Sequence, residues 1–202
     1  MIQETDQGTV RIITLNRPDK ANALTEDMLN ALIGAIDVAE KDKAAAVILT
    51  GAGKVFSAGA DLEAAKQGLA TSPLWEELSS KIADLSCPSI AALNGTLAGG
   101  AFGMVLACDI RISVPKAKFF YPVMSLGFLP QPSDPPRLVE LIGRARASMI
   151  LTAGQKILAD EALTWGLVDR LEDDPLTAAL ELTKPAKNAS EEHRAAIVRM
   201  IR

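Results

Sequence analysis

Apolar residues fall into short runs divided by glycine- and proline-marked turns, and their spacing alternates between two periods. Thr9–Leu15 is short, rich in β-branched residues and stopped by Asn16-Arg17-Pro18-Asp19, which predicts a strand followed by a turn. Beyond it, Met28, Leu29, Leu32, Ile33 and Ile36 recur at helical spacing, with Thr25 placed as a cap and Glu26 and Asp27 set against the positive helix end. Ala44–Thr50 is a continuous apolar run halted by Gly51-Ala52-Gly53, which predicts a strand buried on both faces. Leu74–Leu85 reads as a second amphipathic helix, Ile90–Leu93 as a buried strand, Gly99–Ala107 as a helix and Ile110–Val114 as a further strand. Pro130–Pro136 is read as a rigid, non-helical loop beside the site, and from Arg137 onward the pattern is helical apart from a short strand at Leu167–Leu171. Alternating strands and helices imply an α/β layer fold with crossover helices. Glu172-Asp173-Asp174-Pro175 marks a boundary between a core domain, residues 1–171, and a short helical tail, residues 172–202, polar enough to pack loosely or against a partner.

Composition narrows the chemistry. The 202 residues suit one domain, or one with a small appendage. Lys and Arg total 21 against 25 Asp and Glu, a net charge of −4, so there is no basic field to hold nucleic acid. One histidine and two cysteines, outside any CxxC pair, exclude a disulfide scaffold and leave too few soft ligands for a closed zinc site, so no metal is expected. A Ser-His-Asp triad would need His193, which stands among Glu191, Glu192 and Arg194 and reads as part of a solvated helix face. The first residues lack a basic stretch followed by an apolar one, and no apolar run nears the roughly 20 residues that span a bilayer. A soluble, cytoplasmic protein without a membrane partner is expected.

Two segments carry the candidate chemistry. Phe56-Ser57-Ala58-Gly59-Ala60-Asp61-Leu62 and Asn94-Gly95-Thr96-Leu97-Ala98-Gly99-Gly100-Ala101-Phe102-Gly103 both follow a buried strand, and both consist of small residues leading into a helix. Small side chains leave backbone N–H groups uncovered, and a helix N-terminus adds partial positive charge, so two such turns on neighbouring strands can converge on one anionic oxygen. Singly, each turn reads as a tight bend or a close helix contact rather than as a functional site; the two together and in order favour function. The glycines at 95, 99, 100 and 103 do not fit GxGxxG, which sets a nicotinamide-binding fold aside.

Further motifs accompany these turns in the series Asn16-Arg17-Pro18 with Lys20 and Asn22-Ala23-Leu24; Phe56 to Leu62; Asn94-Gly95 with Ala98-Gly99-Gly100; Ala107-Cys108-Asp109-Ile110-Arg111; Phe119 with Leu126-Gly127; and Leu151-Thr152-Ala153-Gly154 with Ala162 and Trp165-Gly166-Leu167-Val168. Taken in order, they resemble the enoyl-CoA hydratase/isomerase (crotonase) family from Thr9 to about Leu171. The resemblance implies a spiral of ββα units with a helical C-terminal region, assembly as a homotrimer or dimer of trimers, and a coenzyme A thioester as substrate, with no cofactor beyond it. It also implies that the backbone N–H groups of Ala60 and Gly100 hold the thioester oxygen, an arrangement suited to developing enolate or tetrahedral charge. Ala58, Gly59, Asp61 and Leu62, in the loop from Ala58 to Glu63, would line the thioester and pantetheine end, and Gly99, Val123 and Gln131 would also contact the substrate. Lys20, Asn22 and Ala23 would lie near the adenine and phosphates, although Lys20 also suits a plain surface lysine.

The chain departs from the family at the proton-moving positions. Hydratases of this family use two glutamates, and the matching residues here are Gly103 and Val123, neither of which can move a proton. Relatives that place a carboxylate four residues beyond the glycine matching Gly127 have Gln131 as their counterpart, and Pro130 replaces another polar position. Tyr121, with a loop acid or solvent as alternatives, is the candidate catalytic proton donor, although each remaining group also has a structural reading. Tyr121, the chain's one tyrosine, reads as a half-buried aromatic with its hydroxyl on water, on the same side of an extended segment as Val123. Asp61 reads as a helix cap, Glu63 as solvated, Asp134 as an exposed loop acid, Asp109 as a backbone anchor, and Cys87 and Cys108 as small apolar residues. Family members also continue for several tens of residues past Arg202, so less cover over the acyl pocket and a weakened trimer are expected. Two functions compete. One is an acyl-CoA enzyme of lyase or isomerase type that keeps the oxyanion hole without two-glutamate hydration; the other is a non-catalytic acyl-CoA-binding or scaffolding protein. Calorimetry with a CoA ester followed by a product assay separates them.

Overall fold

The computed structural model describes every residue from Met1 to Arg202. In chain order its strands are β1 Ile2–Gln7, β2 Val10–Leu15, β3 Ala46–Gly51, β4 Val55–Ser57, β5 Ser89–Leu93, β6 Thr96–Ala98, β7 Ile110–Ser113, β8 Lys118–Phe120, β9 Ile157–Leu158 and β10 Arg170–Leu171. Its helices are α1 Glu26–Lys41, α2 Leu62–Lys66, α3 Leu74–Ala83, α4 Phe102–Leu106, α5 Val123–Leu126, α6 Asp134–Ile142, α7 Arg144–Leu151, α8 Ala159–Trp165, α9 Pro175–Leu182, α10 Lys184–Asn188 and α11 Glu191–Ile201, with a 3-10 turn at Gly99–Ala101 leading into α4.

Two sheets are built by one repeated step. The larger runs β1-β2-β3-β5-β7-β10 and the smaller β4-β6-β8-β9. Each of the pairs β3-β4, β5-β6 and β7-β8 sends one strand into each sheet and then a helix, so the chain advances as a spiral of ββα units. Within the larger sheet every pairing after the β1-β2 hairpin is parallel. Both faces of that sheet are covered, which is why β3 and β5 carry no polar alternation. Ile13, Leu15, Val47, Leu49, Ala91 and Leu93 face α1, α3 and α4 in the main core. Val10, Ile12, Ala46, Ile48, Ile90 and Ile112 face the other way, onto Ala179 of α9 and its neighbours Leu176 and Leu180.

Several expectations need correction. Strand β1 has no counterpart in the sequence reading, because it is a polar edge strand (Ile-Gln-Glu-Thr-Asp-Gln) exposed along most of its length. The short strands β4, β6 and β8 have three residues each, too few for a period to show. The proline-rich segment is not wholly a loop: Asp134 opens α6, and Pro135 and Pro136 occupy its first turn. The N–H groups there have no helical acceptor, so prolines are tolerated. The C-terminal residues do not hang loose. The guanidinium of buried Arg194 reaches the carbonyls of Ala186, Lys43 and Ala44, and Arg202 pairs with Asp109 at 2.7 Å. No helix is long and apolar enough to cross a membrane.

Candidate functional site

The first glycine turn is held by a strap, residues 21–24, laid alongside it. Ala58 N–H donates to Ala21 O at 3.0 Å, Leu24 N–H to Gly59 O at 2.8 Å, and Asp61 N–H to Leu24 O at 2.8 Å. Ser57 Oγ donates to Asn22 O and accepts from Gly59 N–H, at 2.9 and 3.1 Å. Asn22 itself is fully buried, and its amide is spent inside the fold: Oδ1 accepts from Arg17 N–H at 2.8 Å, and Nδ2 donates to Ala52 O and Val55 O at 2.9 and 2.7 Å. Its φ of +52° is one that asparagine adopts more readily than most residues. This corrects the expectation that Asn22 touches coenzyme A; the residue positions the turn. Asn22→Ala leaves Arg17 N–H, Ala52 O and Val55 O without this partner. A loss of about 2–4 kcal/mol in urea unfolding is expected, and a midpoint within ~0.2 M of the parent would contradict it.

With Asn22 fixing its start, the turn ends in a capped helix. Asp61 Oδ1 accepts from Glu63 and Ala64 N–H, and its Oδ2 meets Arg17 Nη1 at 2.8 Å. The Arg17 guanidinium, ahead of the Ala64 and Glu63 backbone N–H groups, holds this carboxyl below its ordinary range. Arg17 Nη1 also donates to Ala23 O at 2.9 Å, so one guanidinium ties the strap to the helix cap.

The second glycine turn is pressed against the first. A Cβ added to Gly59, whose φ is +88°, would lie 2.9 Å from Ala98 O, 3.2 Å from Gly99 Cα and 3.4 Å from Gly100 N. Glycine at 59 is therefore required twice, by dihedral and by space. The two turns open onto one cavity of about 210 Å³. Ala58, Ala60, Leu62, Ala98, Gly99 and Gly100 line one side, and Trp75, Phe120, Tyr121, Val123, Phe128 and Gln131 are among those lining the rest. Ala60 lies between the two bonds that join Leu24 to Gly59 and Asp61, and its own N–H enters none of the turn's backbone bonds. Gly100 sits in the first turn of the 3-10 segment, where an N–H has no acceptor within the helix. A larger, open groove of about 960 Å³ runs beside α11 past His193, Arg194 and Asp109, but neither glycine turn reaches it.

Of the expected site residues, Ala58, Ala60, Leu62, Gly99, Gly100, Tyr121, Val123 and Gln131 come together at the cavity. Gly59 is packed behind it, Lys20 is exposed on the short turn Pro18–Lys20, and Ala23 belongs to the strap. The structure overturns the solvent-facing placement expected for the Tyr121 hydroxyl and for Asp134. Tyr121 is buried, its ring stacked on Phe102 with centroids 5.2 Å apart, and its hydroxyl donates to Asp134 Oδ2 at 2.8 Å. Asp134 is only 1% exposed, carried inward by the first turn of α6. Val123 does not share an extended segment with Tyr121, since α5 begins at Val123, yet both reach the cavity. Cys87 and Cys108 are buried, and burial pushes both thiols up to about 12, so they remain neutral apolar filler. Trp75 escaped the sequence reading as a site residue, because helical spacing shows that it is buried but not that its ring lies against Gly100.

An α/β spiral whose two glycine turns share one apolar cavity defines the structural class. The family description "Enoyl-CoA hydratase/isomerase" matches residues 5–201, and the chain belongs to that family. It is similar to the short-chain-enoyl-CoA hydratase of Clostridium acetobutylicum, with 38% identity over 172 residues that span 82% of this chain and 66% of the relative. It is also similar to the 2,3-dehydroadipyl-CoA hydratase of Escherichia coli, 34% identical over 191 residues, 91% of this chain and 73% of the relative. The chain thus spans about two thirds to three quarters of these relatives' length. Among solved structures, an enoyl-CoA hydratase from Bacillus anthracis superposes with a TM-score of 0.92 at 29% identity, covering 99% of this chain and 81% of that one. Pseudomonas aeruginosa DspI superposes with a TM-score of 0.90 at 31% identity, covering 99% and 85%.

Proposed function

We propose that the cavity binds the acyl end of a coenzyme A thioester and that the N–H groups of Ala60 and Gly100 stabilise the negative charge that develops on its carbonyl oxygen. The observation that carries this reading is the convergence of both turns on one cavity, with Ala60 and Gly100 both in its wall. Its walls are mostly apolar, which suits an acyl chain and strengthens any hydrogen bond made inside. Relatives of the chain are named as hydratases of CoA esters, which supports the substrate class. Two-glutamate hydration is not part of the proposal, because Gly103 and Val123 stand where the resemblance places the glutamates. The reaction class is chemistry through an enolate or oxyanion at a thioester, of the lyase or isomerase type.

One donor of this kind is worth ~3 kcal/mol, so Gly100→Pro, which deletes the N–H, is expected to lower turnover of an accepted acyl-CoA about 100-fold. Proline also crowds the Trp75 ring, since a Cβ at 100 lies 3.3 Å from it, so the folded fraction must be checked by circular dichroism. A second readout needs no variant. Binding of a carbonyl-13C acyl-CoA should shift its C=O stretch to lower frequency. An unshifted stretch in a saturated complex would sink the oxyanion reading.

A further inference from the structure

We propose that Tyr121 and Asp134 form a proton relay in the cavity wall, carrying a proton between the α-carbon of a bound CoA thioester and the Asp134 carboxylate. The inference rests on the thioester reading above and supplies the proton-moving group that Gly103 and Val123 cannot.

Three observations carry it. First, Tyr121 lines the cavity, and its hydroxyl donates to Asp134 Oδ2 at 2.8 Å. Second, Asp134 Oδ1 is buried with no hydrogen-bond partner. A carboxylate kept only to anchor a tyrosine hydroxyl has no need of such an oxygen, which costs stability. Third, Gly103 makes the room. A Cβ there would lie 2.9 Å from Asp134 Oδ1, so a side chain at 103 would displace this carboxylate from its present position. The acid thus enters from the first turn of α6 into space left by the residue type at 103 on α4.

The charges around Asp134 are few. Glu76 of α3 opposes its ionisation, and its Oε2 is occupied by Ser133, accepting from N and Oγ at 3.2 and 3.0 Å. Arg137 of α6 favours ionisation, while its Nη1 donates to Ser133 Oγ at 2.8 Å. Burial outweighs the rest and pushes the carboxyl up to about 6, while burial and the neighbouring carboxylate raise the Tyr121 phenol. Asp134 is then a carboxylate at neutral pH that takes a proton readily, with Tyr121 as its route to the cavity.

The α C–H bond breaks, and its electron pair forms the enolate, whose oxygen rests on the Ala60 and Gly100 N–H groups. The released proton bonds to Tyr121 Oη as the original hydroxyl proton passes to Asp134 Oδ2. The phenol ends neutral and Asp134 protonated; reversal returns a proton to carbon. No oxidant or second substrate enters.

Because the chain has one tyrosine, tyrosine labelled at 13Cζ reports this pair alone. The expected NMR titration has a step near pH 6 in the parent and none in Asp134→Asn. In heavy water, the α-protons of butyryl-CoA should exchange with solvent. Tyr121→Phe and Asp134→Asn should each slow that exchange about 100-fold or more, with calorimetric affinity held within about threefold. In the parent the rate should rise with pH through about 6, and any residual rate in Asp134→Asn should lose that limb. Exchange as fast in Asp134→Asn as in the parent overturns the relay. So does a parent that binds butyryl-CoA without exchange, although the thioester site then survives. A parent that binds no CoA ester refutes the site reading and the relay with it. If a variant fails to fold, the parent titration decides: no step near pH 6 overturns the proposal.

Discussion

Gly95→Ala is expected to destabilise the fold by at least ~3 kcal/mol, moving the urea midpoint down by about 1.5 M or leaving no folded protein. A Cβ at this position would lie 2.0 Å from Lys54 O, 2.7 Å from Lys54 C and 3.0 Å from Val55 Cα. All three are backbone atoms, so no rotamer change relieves the collision. The β3-β4 turn would have to move, and it is pinned on both sides. Asn94 accepts from Gly51 N–H at 3.0 Å and donates to Gly53 O at 2.9 Å, while Asn22 holds Ala52 and Val55 from the strap. Since that turn leads directly through β4 into the first glycine turn, the same change should misplace Ala60. The effect is steric and has nothing to do with a left-handed dihedral, because Gly95 is not among the glycines with positive φ. Gly34→Ala is the matched control. It lies inside α1 with nothing within 4 Å of its added Cβ. Helix propensity then predicts a gain of about 0.5–1 kcal/mol. A Gly95→Ala midpoint within ~0.3 M of the parent would show that the two crossovers are looser than this packing implies.

What the sequence reveals of such a site depends on whether the information is local. Strands β3 and β5 and helix α1 are legible because burial imprints its period on consecutive residues. The two glycine turns are legible because a strand, small residues and a helix start follow in one stretch. Asn22, by contrast, looks like any turn asparagine. Only the structure shows its amide bonded to three backbone groups from two segments. Asp134 is harder still. It stands in Pro-Ser-Asp-Pro-Pro, a composition that signals exposed loop, and its burial follows from where α6 is laid against α4. The partners that define its role, Tyr121 and Gly103, lie 13 and 31 residues away in the chain. A glycine at 103 reads in sequence as a lost acid, whereas in the structure it is the space that admits another one. The sequence fails at long-range complementarity, and it fails most where the candidate proton chemistry sits.

Asp134 should also make the protein less stable as pH rises from about 4 to 6, contrary to the usual behaviour of a paired carboxylate. Its carboxyl is pushed up to about 6, against about 3.8 when the chain is unfolded. Between those values the folded state binds the extra proton, so stability falls with rising pH and levels off above about 6. The full difference corresponds to about 3 kcal/mol, at 1.36 kcal/mol per unit. Position alone would argue the other way, since Asp134 lies in the first turn of α6 and a helix N-terminus favours an anion by ~0.3–1 kcal/mol. Burial and the unpartnered Oδ1 outweigh that contribution. Asp134→Asn keeps the shape and an acceptor for the Tyr121 hydroxyl while removing the titration. Near pH 4 it should match the parent or fall slightly below it; at pH 7.5 it should be more stable by about 1–2 kcal/mol, the remainder offset by an unpaired amide N–H against Gly103. Taking the difference between variant and parent at each pH cancels every other titrating group. A difference independent of pH would mean that Asp134 is not held as described. A variant less stable at pH 7.5 would mean that the carboxylate stabilises the fold. The expected result is that the chain tolerates a buried charge which its own packing disfavours, directly behind Tyr121 in the cavity wall.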